Sequence, residues 1–304
     1  MTATQISTPI PDFLGSEIVS DLETAQVAIL PIPFEATTSY RKGCQNGPAA
    51  LLEASHQLEC YDTELEQEIC FATGIYTHPP IADTRKQTVS SEEMLKVTQK
   101  TVYELAKSGK FVIALGGEHS ITAGVVAGYQ QLCDEPFTVV QIDAHGDLRY
   151  EYEGSIHSHA CVMRRIIEKS IPTVQVGIRS ICLEEAHLIK EKQLSVFWAK
   201  DLATQTDWIE KAIAAIPTKR VFLTIDLDGI DPSSMPGVGT PQPGGLSWYG
   251  LLAFLRCLFT THTVIGCDVM ELAPIVDCVV SEFTAAKLTY KLIGYYYSNR
   301  SYAQ

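Results

Sequence analysis

The sequence has no excess of positive charge: 23 Lys and Arg stand against 36 Asp and Glu, giving a formal net charge of -13. A chain without basic patches has no electrostatic footprint for a nucleic-acid backbone or an anionic membrane surface, so neither is expected as a partner. No apolar run approaches the ~20 residues of a membrane span. The opening stretch, MTATQISTPIPDFLG, has no charged leading segment followed by an apolar one, so no secretory signal is read there. The nine cysteines form no CxxC pair, and their odd count and irregular spacing suit a reducing compartment better than a disulfide framework. Those in apolar runs, such as Cys161 in HACVM and Cys257 in LRCLF, read as small buried hydrophobes. The Gly/Pro-rich run PGVGTPQPGG lacks the Gly-Lys-Ser/Thr of a phosphate cradle and reads instead as a shaped loop at the mouth of a site. Repeats and interdomain linkers are also missing. These exclusions leave a soluble, cytoplasmic protein whose acidic balance is mildly favourable for a cationic ligand.

What is present is a substantial core. Of 304 residues 46% are hydrophobic and 19% charged, enough apolar material for a large α/β domain. A polar, Pro-containing arm is expected over residues 1–22 and one catalytic domain over 23–304. Short β-rich runs predict strands at 27–31, 111–115, 138–142, 173–176, 196–198, 221–225 and 264–267. Helical patterns alternate with them at 48–60, 92–106, 120–132, 161–169, 183–192, 208–216, 249–258 and 277–292. Ser90 and Glu93 form a capping box ahead of the second helix, and Gly109 ends it. Runs such as FVIAL and VFLTI are apolar throughout, as strands are when helices cover both sheet faces. The expectation is a three-layer αβα fold around a mostly parallel sheet.

Such sheets place their ligands beyond the carboxyl ends of the strands. The chemically capable residues follow that rule. FVIAL runs into Gly116-Gly117-Glu118-His119-Ser120, TVVQI into Asp143-Ala144-His145-Gly146-Asp147, and VFLTI into Asp226-Leu227-Asp228. Asp143, His145 and Asp147 are spaced at i, i+2 and i+4, so an extended backbone would point all three to one side. Carboxylates crowded at the end of apolar strands are costly unless a cation neutralises them. Four Asp with two His give hard oxygen donors and two imidazoles, a set that fits Mn²⁺ or a similar ion better than structural zinc. Six side chains exceed what one catalytic metal takes from protein, so two divalent ions are expected. A lone DxD or a lone His after Gly-Gly is common without metal; three motifs on three strand ends are not. Asp231, before Pro232, reads as a turn-former.

These motifs resemble the ureohydrolase family of arginases, agmatinases and relatives, closest to agmatinase. The resemblance covers most of the chain: TSYRKGCQNGPAA (38–50), GGEHS, DAHGD, GSIHSHACVMRR (154–165), TIDLDGIDPSSMPGVGTPQPGGLS (224–247) and CDVMELAP (267–274). It implies the arginase-like fold, and it implies that His119, Asp143, Asp147 and Asp226 hold one metal. Asp143, His145, Asp226 and Asp228 would hold the other, with Asp143 and Asp226 shared. Mn²⁺ is the family's usual metal, with Ni²⁺ in some guanidine-type members. A guanidinium carbon is a poor electrophile, and a metal pair that acidifies water answers that difficulty. By the same resemblance Asp147 also takes the proton of the attacking water, Glu271 pairs with the guanidinium, and His159 passes a proton to the leaving amine. His157, two residues away, is the alternative donor; the SHACVMRR context favours His159. His56, His78, His187 and His262 have no ligand partner near them in sequence.

The substrate turns on Leu148–Ser158, LRYEYEGSIHS, which lacks the Asn of arginases. Glu151 and Glu153 would favour a distal ammonium, pointing to a small cationic guanidine, agmatine first, cleaved to putrescine and urea. Arg149 would suit a carboxylate tail, making guanidinobutyrate the competitor; arginine and free guanidine follow. An arginase-fold deacetylase would need a His-His pair, which is missing, and an inactive homologue would have lost a ligand or Glu271. The resemblance further implies a homotrimer or homohexamer, with the arm and the tail GYYYSNRSYAQ as contact surfaces.

Overall fold

Alternate residues of the apolar strands go to opposite sides of one sheet. The computed structural model describes residues 10–301, apart from 17 and 19. Its sheet consists of β1 (Val27–Ile32), β2 (Ile75–Thr77), β3 (Phe111–Gly116), β4 (Phe137–Ile142), β5 (Thr173–Ile178), β6 (Ser195–Trp198), β7 (Arg220–Asp226) and β8 (Thr263–Met270). The spatial order is β2-β1-β3-β8-β7-β4-β5-β6, and every neighbouring pair is parallel. Val27 and Ile29 of β1, with Ile113 and Leu115 of β3, pack under α1 (Gly47–Ser55), α4 (Trp248–Thr261) and α5 (Val280–Ser301). Ala28, Leu30 and Ile32, with Val112 and Ala114, pack under α2 (Ser91–Lys107) and α3 (Thr122–Leu132). Both faces are dry, which is why no polar alternation marks these strands. Each fully buried Leu or Ile contributes about 1.5–3 kcal/mol. The αβα layering and parallel sheet expected from the sequence are both present.

Local chemistry sets the helix ends. The Ser90 hydroxyl accepts from the Glu93 N–H at 3.2 Å, and Glu93 accepts from the Ser90 N–H at 3.0 Å, closing the predicted capping box. Gly109, at φ +82°, turns the chain from α2 into β3. The first helix is shorter than its pattern predicts. It stops at Ser55, and the chain then forms a hairpin of Tyr61–Asp62 with Gln67–Glu68. Strand β2 and the short helix Ile69–Thr73 are additions that the sequence pattern did not reveal. The last helix is longer, extending to Ser301 through the Tyr-rich tail. That tail, expected as a contact surface, supplies two core residues: Tyr296 stacks on Phe111 at 4.0 Å, and the buried Tyr295 donates to Glu64 at 2.8 Å. Its final three residues, and residues 1–9, 17 and 19 of the expected arm, lie outside the described residues. Within the arm, Phe13 and Leu14 are buried, and Leu14 N donates to Ser55 Oγ. Among the described residues no helix is long and apolar enough to cross a membrane, and all nine cysteines are free thiols.

Four adjacent central strands, β3-β8-β7-β4, carry the site at their carboxyl ends. His119 follows β3, Glu271 follows β8, Asp226 ends β7 and Asp143 follows β4.

Candidate active site

The loop that delivers His119 depends on Gly117. A Cβ there would lie 2.0 Å from the Phe34 carbonyl oxygen, so a larger residue would force the two backbones apart. The Gly117 N–H donates to Ile32 O at 2.9 Å, and Gly117 O accepts from the Glu271 N–H at 2.8 Å, tying the exits of β1, β3 and β8 together. Asp147 and Glu271 sit in left-handed backbone, at φ +53° and +68°. Such conformations cost roughly 1–3 kcal/mol and persist where surrounding bonds hold them. Asp147 is held on both sides: its carbonyl accepts from Arg164 N at 3.1 Å, and the next N–H, of Leu148, donates to Glu185 Oε1 at 2.9 Å. The expected simple extended run from Asp143 to Asp147 is therefore broken at its last residue. The Asp226–Asp228 pair also departs from it, because Asp228 lies in a 3-10 turn whose N–H donates to Asp226 Oδ1 at 2.9 Å.

The carboxylates converge on His119. Its Nδ1 lies 3.1 Å from Asp143 Oδ2, 3.1 Å from Asp147 Oδ2 and 3.3 Å from Asp226 Oδ2. A second group forms where His145 Nδ1 lies 2.9 Å from Asp228 Oδ2 and 3.7 Å from Asp143 Oδ1. Burial, reinforced by the charges of Asp147 and Asp228, pushes Asp143 up to about 7. Burial and the charges of Asp228 and Asp143 raise Asp226 well above its ordinary value. Burial opposes the cation at His145, yet Asp228 and Asp143 outweigh it and lift the ring to about 10. For Asp228 the balance reverses: burial raises it, but His145 and the Ala144 N–H bring it down to about 2. A cluster that must hold protons to relieve its own repulsion is one that a cation would stabilise.

Two observations test the fit of a metal pair. His119 Nδ1 is fully buried without a hydrogen-bond partner, although three carboxylate oxygens lie within 3.3 Å. Ligand atoms also gather in two overlapping triads, His119/Asp143/Asp147 and Asp143/His145/Asp228, sharing Asp143. The residues fit two divalent ions.

A cavity of about 240 Å³ opens beside the cluster, reached by His145, Asp147, Asp226, Asp228, Glu271 and His159. Glu271 Oε1 accepts from the His119 N–H at 2.7 Å, yet burial outweighs that bond, and Glu118 adds to it, lifting Glu271 to about 8. It is a carboxylate in want of a cation. His159 lines the cavity and His157 does not. Arg149 lines it too, its guanidinium 4.8 Å over the Tyr152 ring. Glu151 and Glu153 are exposed and lie outside the cavity lining. Tyr152 and Ser155 exchange backbone bonds at 3.1 and 3.0 Å around a two-residue turn in which Glu153 and Gly154 both have positive φ. That primed turn places Glu153 at its tip, and in an extended run Glu151 faces away from its neighbour Tyr152. Of the remaining histidines, His56 reaches Asp12 O and His78 reaches Pro79 O, away from the cavity. Asp231 accepts from Ser233, Gly244 and Gly245 N–H groups, fixing the Gly/Pro-rich loop that brings Gly239 and Thr240 to the cavity.

Several supporting residues escaped the sequence reading. Gln141 Nε2 donates to Asp143 Oδ2 at 2.6 Å, and Gln175 in turn donates to Gln141 Oε1 and to Gly146 O. Their signal was available: two glutamines inside otherwise apolar strands. Thr224 Oγ1 meets His119 Nε2 at 2.8 Å. Glu118, within GGEHS, is fully buried and accepts four hydrogen bonds.

Proteins similar to this chain are known by sequence and by structure. The family model described as "Arginase family" matches residues 25–294. The chain is 56% identical over 285 residues, 93% of each chain, to the N(1)-aminopropylagmatine ureohydrolase of Synechocystis sp.. It is 34% identical to the agmatinase of Pyrococcus horikoshii, over 90% of this chain and 93% of that one. The agmatine ureohydrolase structure from Thermoplasma volcanium superposes with a TM-score of 0.86 at 28% identity, covering 98% of each chain.

Proposed function

The chain belongs to the arginase family, and on that premise we propose that it hydrolyses a linear guanidine carrying a distal amine, releasing urea. The preferred substrate in this reading is N1-aminopropylagmatine, which yields urea and spermidine; agmatine, the first choice from the sequence, is the shorter alternative. The observation that carries the chemistry is Glu271, a buried carboxylate that lines the cavity beside the His/Asp cluster and has no salt bridge among the described residues. The identity of 56% to the Synechocystis enzyme carries the choice between substrates.

In this reading His119, Asp143, Asp147 and Asp226 would hold one ion, and Asp143, His145, Asp226 and Asp228 the other, with Mn²⁺ favoured by the oxygen-rich donor set. Such a pair would supply Lewis acidity, making water acidic enough to attack a guanidinium carbon near neutral pH. The chain's own groups do the rest. Glu271 pairs with the guanidinium and is drawn down to its anionic form by that cation. Asp147 accepts the proton of the attacking water. As the C–N bond breaks, the leaving nitrogen keeps the electron pair and takes a proton from His159. Tyr152 offers apolar ring surface along the substrate's methylene chain.

Arg149 favours a second reading, a guanidine with a carboxylate tail, because its guanidinium lines the cavity. Urea release from N1-aminopropylagmatine, agmatine, guanidinobutyrate and arginine, each with Mn²⁺ and with Ni²⁺, separates the readings. The highest kcat/KM is expected for N1-aminopropylagmatine. A preference for guanidinobutyrate that Arg149→Ala abolishes would establish the second reading, and activity on arginine alone would defeat both.

A further inference from the structure

The mechanism above uses His159 but leaves unexplained what fixes its ring. Glu118 lies next to the metal-facing His119 in sequence and has no exposed surface. Its Oε2 accepts from the backbone N–H groups of Ala36 and Thr37, both at 2.6 Å. Its Oε1 accepts from the hydroxyls of Thr37 at 2.7 Å and Ser120 at 2.5 Å. Thr37 Oγ1 donates to Glu118 Oε1, so the single hydroxyl proton of Thr37 is committed there. The lone pairs of Thr37 Oγ1 then remain for His159. They meet its backbone N–H at 3.0 Å and its ring Nδ1 at 3.3 Å.

We propose that Glu118 and Thr37 form a positioning relay for His159, a directed chain in which Nδ1–H donates to Thr37 and Thr37 donates to Glu118. The inference rests on the reading of His159 as proton donor. An oxygen whose proton is already spent accepts at Nδ1, so it selects the tautomer with hydrogen on Nδ1. Nε2 is thereby the nitrogen that carries the exchanged proton. In the imidazolium both nitrogens are protonated; Nε2–H passes its proton to the leaving nitrogen, and Nδ1–H stays on Thr37 throughout. Glu118 orients the ring through one hydroxyl, much as a third group orients the base of a catalytic pair. Among the described residues the Ser158 hydroxyl, 3.4 Å from Nδ1, is the one rival contact. That hydroxyl can donate or accept, so it does not impose a direction. The His159 ring is further limited by the edge of Tyr152, with centroids 6.1 Å apart. The relay also joins the two halves of the reaction mechanically. Glu118 N donates to Phe34 O while its side chain gathers Ala36 and Thr37, so the loop bearing Thr37 is fastened to the loop that presents His119.

The test is steady-state urea release by the metal-loaded enzyme carrying Thr37→Val, Thr37→Ser, His159→Asn, or Thr37→Val with His159→Asn. Metal content and Tm are measured on each variant. Valine keeps the branching and removes the hydroxyl. We expect kcat to fall by about 10–100-fold, the size of an outer-partner effect, with KM moving less than about threefold. Serine should recover most of that loss. In the His159→Asn background, Thr37→Val should cost nothing further, because residues acting as one unit are not additive. An equal cost of Thr37→Val in both backgrounds, or no recovery with serine, overturns the relay while leaving His159 as the donor. An unchanged kcat in His159→Asn overturns instead the reading beneath it, and the relay with it.

Discussion

His119 and His145 stand in opposite situations within one cluster. His119 is 1% exposed and held from three sides: its N–H by Glu271, its Nε2 by Thr224, its Nδ1 among three carboxylates. His145 is 24% exposed in its side chain, lines the cavity and leans mainly on Asp228. The buried side is preorganised by contacts that exist without any ligand; the open side faces the cavity. Two positions that read alike in sequence, each a histidine just past an apolar strand, therefore differ in how much of the site depends on them.

The largest consequence concerns the ligands themselves. His119→Asn should lose both ions and reduce urea release by more than the roughly 100-fold typical of outer-partner losses. His145→Asn should keep the ion on the His119 side and retain measurable activity. Metal analysis of both purified variants decides this, and identical loss of both ions would erase the distinction between the two sides. Smaller is the effect of Thr224→Val, which removes the partner of His119 Nε2. It should weaken binding of one ion by about 10–100-fold and leave the other unaffected, giving a two-phase metal titration. A single, uniformly weakened phase would show that the sides act as one.

The smallest effect is a pH dependence. Asp143, pushed up to about 7, is partly protonated at neutral pH and His145, lifted to about 10, is protonated, so a metal must displace protons from the cluster. Binding should release protons, and affinity should fall as pH falls, by about tenfold per pH unit for each proton displaced. Calorimetry in buffers of different ionisation enthalpy measures the release; binding without proton release would contradict the charge balance described for the cluster.

Seven of the eight sheet strands and the six residues of the His/Asp cluster were legible because apolar runs, several ending in His or Asp, carry their own signal. Gln141 and Gln175 stood out only as polar residues inside dry strands and were missed, because their meaning needed the register of β4 against β5. The left-handed backbone of Asp147 and Glu271 was not, since nothing in DAHGD or VMELAP marks a non-glycine residue for positive φ. The placement of Glu151 and Glu153 away from the cavity depends on a primed turn at Glu153-Gly154, a local choice that composition does not reveal. Thr37 and Glu118 are 81 residues apart, and only the fold brings their side chains together.

The central claim is that this cluster holds two ions around a shared Asp143. Crystals grown with Mn²⁺ and measured at its absorption edge test it directly. The expected result is two anomalous peaks per chain, one among His119, Asp143, Asp147 and Asp226 and one among Asp143, His145, Asp226 and Asp228. A single peak, or peaks that leave Asp143 uncoordinated, would contradict it.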